Sequence, residues 1–87
     1  MKELLYFYLP NCPHCKLAAR CIQQLQQENP AYGAIPIRPV DESRERELAE
    51  SYDYWYVPAF FLDGQKLHEG HAELADVRAV LDAALSE

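Results

Sequence analysis

The sequence predicts an α/β sandwich, a mixed four-stranded sheet with helices on both faces, in the order β-α-β-α-β-β-α. Three observations carry this. A continuous apolar run, Leu4 to Leu9, is followed at once by residues with helical apolar spacing. Asp63-Gly64 divides two short strand-like segments, which is a strong hairpin signal. Leu74, Val77, Leu81 and Leu85 then form the stripe of a last helix.

The first strand, "LLYFYL", is apolar at every position, so it should be covered on both faces and lie centrally in the sheet. Pro10 and Asn11 end it. Pro13 suits the first turn of a helix, where a missing N–H costs nothing. Ala18, Cys21, Ile22 and Leu25 give that helix an apolar face, with Lys16, Arg20, Gln23, Gln24 and Gln27 opposite. Pro30 should stop it near Glu28 or Asn29. In "AIPIRPV", Ala34 to Val40, Ile35 and Ile37 alternate as in a strand, and two prolines without ladder donors place it at an edge. Asp41 is a candidate cap for a short helix carrying Leu48, Ala49 and Tyr52. A loop, "YDYWYVP", leads to a strand near Ala59 to Leu62, and Gln65 to His68 return antiparallel until Gly70. The first β-α-β unit needs a right-handed crossover.

The chain has 87 residues, 49% hydrophobic and 25% charged, as expected for one small globular domain over residues 1–87. A chain of this length buries only roughly 60–65% of its unfolded surface. Net charge is −6, which argues against nucleic acid or anionic lipid as a partner, because both need clustered Lys and Arg. The apolar start is too short for a membrane span and lacks the cleavage pattern of a signal peptide. A cytoplasmic monomer is therefore the expectation. In that compartment structural disulfides are rare, and a close cysteine pair is more often catalytic or metal-binding.

All three cysteines lie in "YLPNCPHCKLAARC", Tyr8 to Cys21. Cys12 and Cys15 can exchange electrons with other thiols, hold a metal, or only pack. With Cys12 at the N-cap of the first long helix and Pro13 in its first turn, Cys12 faces unsatisfied N–H groups and the positive end of the helix dipole. Both favour the thiolate, which is the nucleophile. Cys15 sits one turn on along the same side, close enough to bond Cys12. The exposed Cys12 would attack a disulfide and the deeper Cys15 would resolve the mixed disulfide. A charged His14 between them would favour the thiolate further and make the disulfide a stronger oxidant. Lys16 is read as a solvated charge and Cys21 as a small core residue. The aromatics Tyr52, Tyr54, Trp55 and Tyr56 either pack their loop or form an exposed groove for peptide.

A strand, then C-P-x-C at a helix start, then Val57-Pro58 leading into a hairpin, resembles the thioredoxin superfamily over nearly the whole chain. The length is most similar to a glutaredoxin or a glutaredoxin-like minimal thioredoxin. The resemblance implies a thiol–disulfide oxidoreductase with Cys12, Cys15, His14 and Pro13 at its catalytic site. It also implies a cis Pro58 against the cysteine pair, with the Val57 backbone pairing with a bound peptide or thiol like an added strand. Three departures stand out. "CPHC" is neither the thioredoxin "CGPC" nor the common glutaredoxin "CPYC", and is similar to the motif of periplasmic disulfide-forming oxidases that carry a large inserted helical domain. Tyr6 stands where thioredoxins carry a buried Asp that relays protons. "EGHAELAD" has Gly70, then His71 and Glu73, where glutaredoxins bind glutathione with a Gly-Gly and an acid.

Expected partners are disulfide-containing proteins or glutathione, together with a reductase. No tightly bound cofactor is expected, glutathione serving as a candidate co-substrate that N–H groups near Gly70 would hold. Trp55, Val57, Pro58 and Gly70 are the substrate-binding candidates. Two other function classes compete. One is a metal site joining Cys12 and Cys15 to His68 and His71, although its H-x2-H gap is short for zinc. The other is a non-catalytic adaptor that binds through the aromatic loop.

Overall fold

The computed structural model describes residues 1–86. Its elements are β1 (Leu4–Tyr8), α1 (Pro13–Glu28), α2 (Pro30–Gly33), β2 (Ile37–Asp41), α3 (Arg46–Glu50), β3 (Ala59–Leu62), β4 (Gln65–Glu69) and α4 (Leu74–Leu85). The sheet order is β2-β1-β3-β4, with β1 parallel to β2 and antiparallel to β3, and β3 antiparallel to β4. The all-apolar β1 is central and the proline-bearing β2 lies at an edge, as their compositions require.

Alternation along β1 divides the core in two. Leu4 and Tyr6 join Phe60 and Leu62 of β3 beneath α1 and α4. Leu5 and Phe7 join Ala59 and Phe61 on the other face, against Ala49 of α3. Phe7 and Phe60 are fully buried, one on each side, and each such burial stabilises the fold by roughly 1.5–3 kcal/mol. The β3–β4 hairpin turns through Asp63 at φ 51° and Gly64 at φ 81°. Positive φ at both central residues is what a type I′ turn demands, hence Asp-Gly. The pairing slips between Phe60 and Phe61, so β4 carries a bulge at Leu67.

Two local expectations are corrected. Pro30 stops α1 but also starts α2: Asn29 is extended, and its Oδ1 accepts the Ala31 N–H at 3.0 Å. One Asn-Pro pair thus closes one helix and caps the next. Residues 34–36 complete that turn, so β2 begins at Ile37 and runs to Asp41 rather than spanning Ala34 to Val40. Tyr32 of α2 is buried, and its hydroxyl lies 2.5 Å from Asp82 Oδ1, which ties α2 to α4. Nor does Asp41 cap α3. Its carboxylate accepts the Ser43 N–H and hydroxyl in a tight turn, and Glu45 stands at the N-cap of α3. The side chain satisfies the nearest donors first, four residues short of the N-cap.

Candidate active site

The site forms where the end of β1, the start of α1 and the loop before β3 converge. Cys12 is the N-cap of α1, in extended conformation with φ −88° and ψ 115°, and Pro13 occupies the first turn. Cys12 Sγ accepts the Cys15 N–H at 3.3 Å, an orphan donor of the helix start. The same sulfur lies 4.0 Å from the Val57 carbonyl oxygen, to which the thiol can donate. The Val57–Pro58 bond is cis. Thus Cys12, Val57 and Pro58 meet although 45 residues separate the sulfur from the carbonyl.

The two cysteines differ in exposure. Cys12 is half-buried and opens on a cavity of about 390 Å³ lined also by Leu9, Pro10, Asn11 and Ser43. Cys15 is only 2% exposed. Burial, then its hydrogen bond with Cys12, push the Cys15 thiol up to about 12 from an ordinary 9.0. Cys15 is thus held as a thiol while Cys12 faces outward. Cys21 is buried on the apolar face of α1, and burial raises its thiol as well.

Tyr6 takes the place of a buried acid differently from a proton relay. Its hydroxyl donates to the Cys15 carbonyl oxygen at 2.7 Å, and burial first, then the nearby cysteines, drive its ionisation far above the ordinary tyrosine range. It is a neutral anchor of the α1 start.

The aromatic loop divides into a packed half and an exposed half. Tyr52 and Tyr54 pack on Phe7 and Phe61, and Tyr54 also donates to Glu42 Oε1 at 2.8 Å. Trp55 and Tyr56 are 86% and 71% exposed. Glu69 of β4 holds this exposed pair in place, accepting the N–H groups of both Trp55 and Tyr56. Lys66, 2.8 Å away, and these two N–H groups lower the Glu69 carboxyl to about 2. Neither Glu69 nor Glu42 was singled out by sequence. The only local signal was the Lys66–Glu69 spacing, which says nothing about a loop thirteen residues back.

Gly70 adopts φ +88°, and its N–H donates to the Pro58 carbonyl at 2.8 Å. It therefore secures the cis-proline segment, and that N–H is not left for a ligand carboxylate. At the start of α4 the Glu73 N–H is taken by Asp76, so two acids stand there instead of open donors.

The histidines do not gather around the cysteines as a metal set. His14 Nδ1 lies 2.8 Å from His71 Nδ1, His71 Nε2 meets the Glu73 carboxylate, and His68 Nε2 lies 2.9 Å from the His71 carbonyl oxygen. Among the described residues no three His, Cys, Asp or Glu side chains are grouped to hold a metal ion. Among them, too, no helix is long and apolar enough to cross a membrane.

A family model described as Thioredoxin matches residues 1–85. A malarial protein of known structure is similar at TM-score 0.74 and 22% identity, covering 98% of each chain. Deadhead, a germline-specific thioredoxin of Drosophila melanogaster, is similar at TM-score 0.70 and 19% identity, covering 94% of this chain and 79% of its own. The zinc-bound form of human ERp44 is similar at TM-score 0.62 and 18% identity, covering 98% of this chain and 26% of its own. At these identities the likeness is one of fold. No curated protein sequence matches.

Proposed function

Because the chain belongs to the thioredoxin family, we propose that it is a thiol–disulfide oxidoreductase in which Cys12 attacks and Cys15 resolves. One observation carries the reading. The half-buried Cys12 sulfur sits at a helix N-cap, accepts the N–H of a buried Cys15, and faces the Val57 carbonyl beside a cis proline. The N-cap position sets the Cys12 sulfur at the open N–H end of α1, and a cysteine attacks as its thiolate. Cys15, three residues on, is shielded from large substrates but within reach of Cys12 once a mixed disulfide forms.

The substrate is a disulfide-bearing protein or a small disulfide such as that of glutathione. Its chain would lie along Val57 as an added strand, with Trp55 and Tyr56 supplying apolar contact. Electrons come from glutathione or from a thioredoxin reductase. Engagement of the Gly70 N–H by Pro58 weighs against a glutaredoxin-style carboxylate site there. His14, in the first turn of α1, acts on the same thiol.

The test is a redox titration of the whole chain in glutathione buffers, read by intact mass. A Cys12–Cys15 disulfide in reversible equilibrium with the buffer is the expected result. A pair that stays reduced across the series, or forms only glutathione adducts, would overturn the proposal.

A further inference from the structure

This inference rests on the oxidoreductase reading and deepens it. Three side chains outside the cysteine pair form a connected row. His14 and His71, 57 positions apart, meet edge-on with ring centroids 4.9 Å apart, joined Nδ1 to Nδ1 at 2.8 Å. The other nitrogen of His71 meets the carboxylate of Glu73. His68 Nε2 reaches the His71 carbonyl oxygen, which steadies the backbone from which His71 projects.

The proton positions follow from what each partner can accept. An ionised carboxylate only accepts, so His71 carries its hydrogen on Nε2. A neutral His71 then has a bare Nδ1, which accepts from Nδ1–H of His14. That leaves the Nε2 lone pair of the exposed His14 without a hydrogen-bond partner among the described residues, on a side chain that follows Cys12 by two positions in sequence, in the first turn of α1. Without His71 and Glu73, nothing in this row would select that tautomer.

We propose that His71 and Glu73 are positioning residues for His14. They hold it as the Nδ1–H tautomer, so that Nε2 takes the Cys12 thiol proton and returns it to the leaving thiolate. The step balances as Cys12–SH plus R–S–S–R′ giving Cys12–S–S–R plus R′–SH. The substrate S–S bond and the Cys12 S–H bond break, and one S–S and one S–H bond form. The substrate disulfide is the oxidant, and Cys15 then displaces R–SH to complete its reduction.

The experiment combines imidazole nitrogen NMR with the rate at which reduced full-length protein attacks glutathione disulfide. In the wild type, with the imidazoles neutral, His14 is expected as Nδ1–H and His71 as Nε2–H. His71→Phe keeps an edge-on ring but removes both nitrogens. Glu73→Ser removes the carboxylate but leaves a good N-cap residue for α4. Each should release His14 from the Nδ1–H form and slow attack by about tenfold, less than the roughly 10²-fold that outright loss of a general acid–base group costs. The double variant His14→Ala/His71→Phe should be no slower than His14→Ala alone, since His71 acts only through His14. Additive losses, or a wild-type His14 carrying its hydrogen on Nε2, would overturn the inference while leaving the oxidoreductase reading intact. A wild type that never forms the Cys12–Cys15 disulfide would remove both.

Discussion

The hydroxyl of Tyr6 donates to the backbone carbonyl of Cys15 across 2.7 Å, from the middle of the central strand to the first turn of α1. It fixes the depth at which Cys15 sits. Tyr6 also stacks between Tyr8 and Phe60, so Tyr6→Phe keeps the packing and removes one buried hydrogen bond. A loss of about 0.5–1.5 kcal/mol in urea unfolding is expected, with disulfide exchange retained. Abolished exchange at unchanged stability would instead place the hydroxyl in the chemistry.

Cys12 and Cys15 should separate cleanly by variant. Cys12→Ser should abolish exchange with glutathione disulfide. Cys15→Ser should leave attack intact and accumulate mixed disulfides, visible as mass adducts. Accumulation in the Cys12 variant would reverse the two roles.

The reduced protein should lose stability on the alkaline side. Above pH 9 an unfolded chain gives up the Cys15 proton, while the folded chain keeps it to about 12. The unfolded state then binds fewer protons, so stability falls as pH rises through that window, by at most about 1.4 kcal/mol per pH unit for one group. Cys21, Tyr6 and Tyr54 are raised too and act with the same sign. Urea midpoints between pH 8 and 10.5 should fall less steeply for Cys15→Ala than for wild type. Equal slopes would mean that Cys15 ionises in the fold as readily as in the open chain.

Glu69 should matter for protein substrates more than for small ones. Glu69→Ala frees the Trp55 and Tyr56 N–H groups from their shared acceptor. Faster proteolytic nicking near Trp55 and weaker exchange with a disulfide-bearing protein are expected, with glutathione disulfide little affected. The wild-type hold should persist in mild acid, because the carboxyl sits at about 2, below its ordinary 4.5, and the contact is lost only as pH falls through that lower value. Trp55 fluorescence reports on it, Trp55 being the sole tryptophan. A Trp55 signal that changes near pH 4.5 would speak against the hold.

What was legible in the sequence was local. The apolar run of β1, the 3.6-residue stripe of α1, the Asp-Gly turn and the placement of Cys12 and Pro13 at a helix start each depend on neighbours within a turn or a pair of strands. Periodicity and turn chemistry report these directly. Even the corrections were local in kind: Asn29-Pro30 both ends α1 and begins α2, and Asp41 closes its own turn before α3 begins. The sequence by itself thus determined the order of the strands and of the three other helices, though not α2, together with the central and edge strands and which cysteine caps a helix. Beyond the approach of Val57-Pro58 to the cysteine pair, which the family resemblance implied, only the tertiary structure decided what these residues meet. The Cys12–Val57, Tyr6–Cys15, Trp55–Glu69 and His14–His71 contacts join residues 9 to 57 positions apart. Such contacts depend on how strands pair and how helices lie across them, and no spacing along the chain encodes those distances.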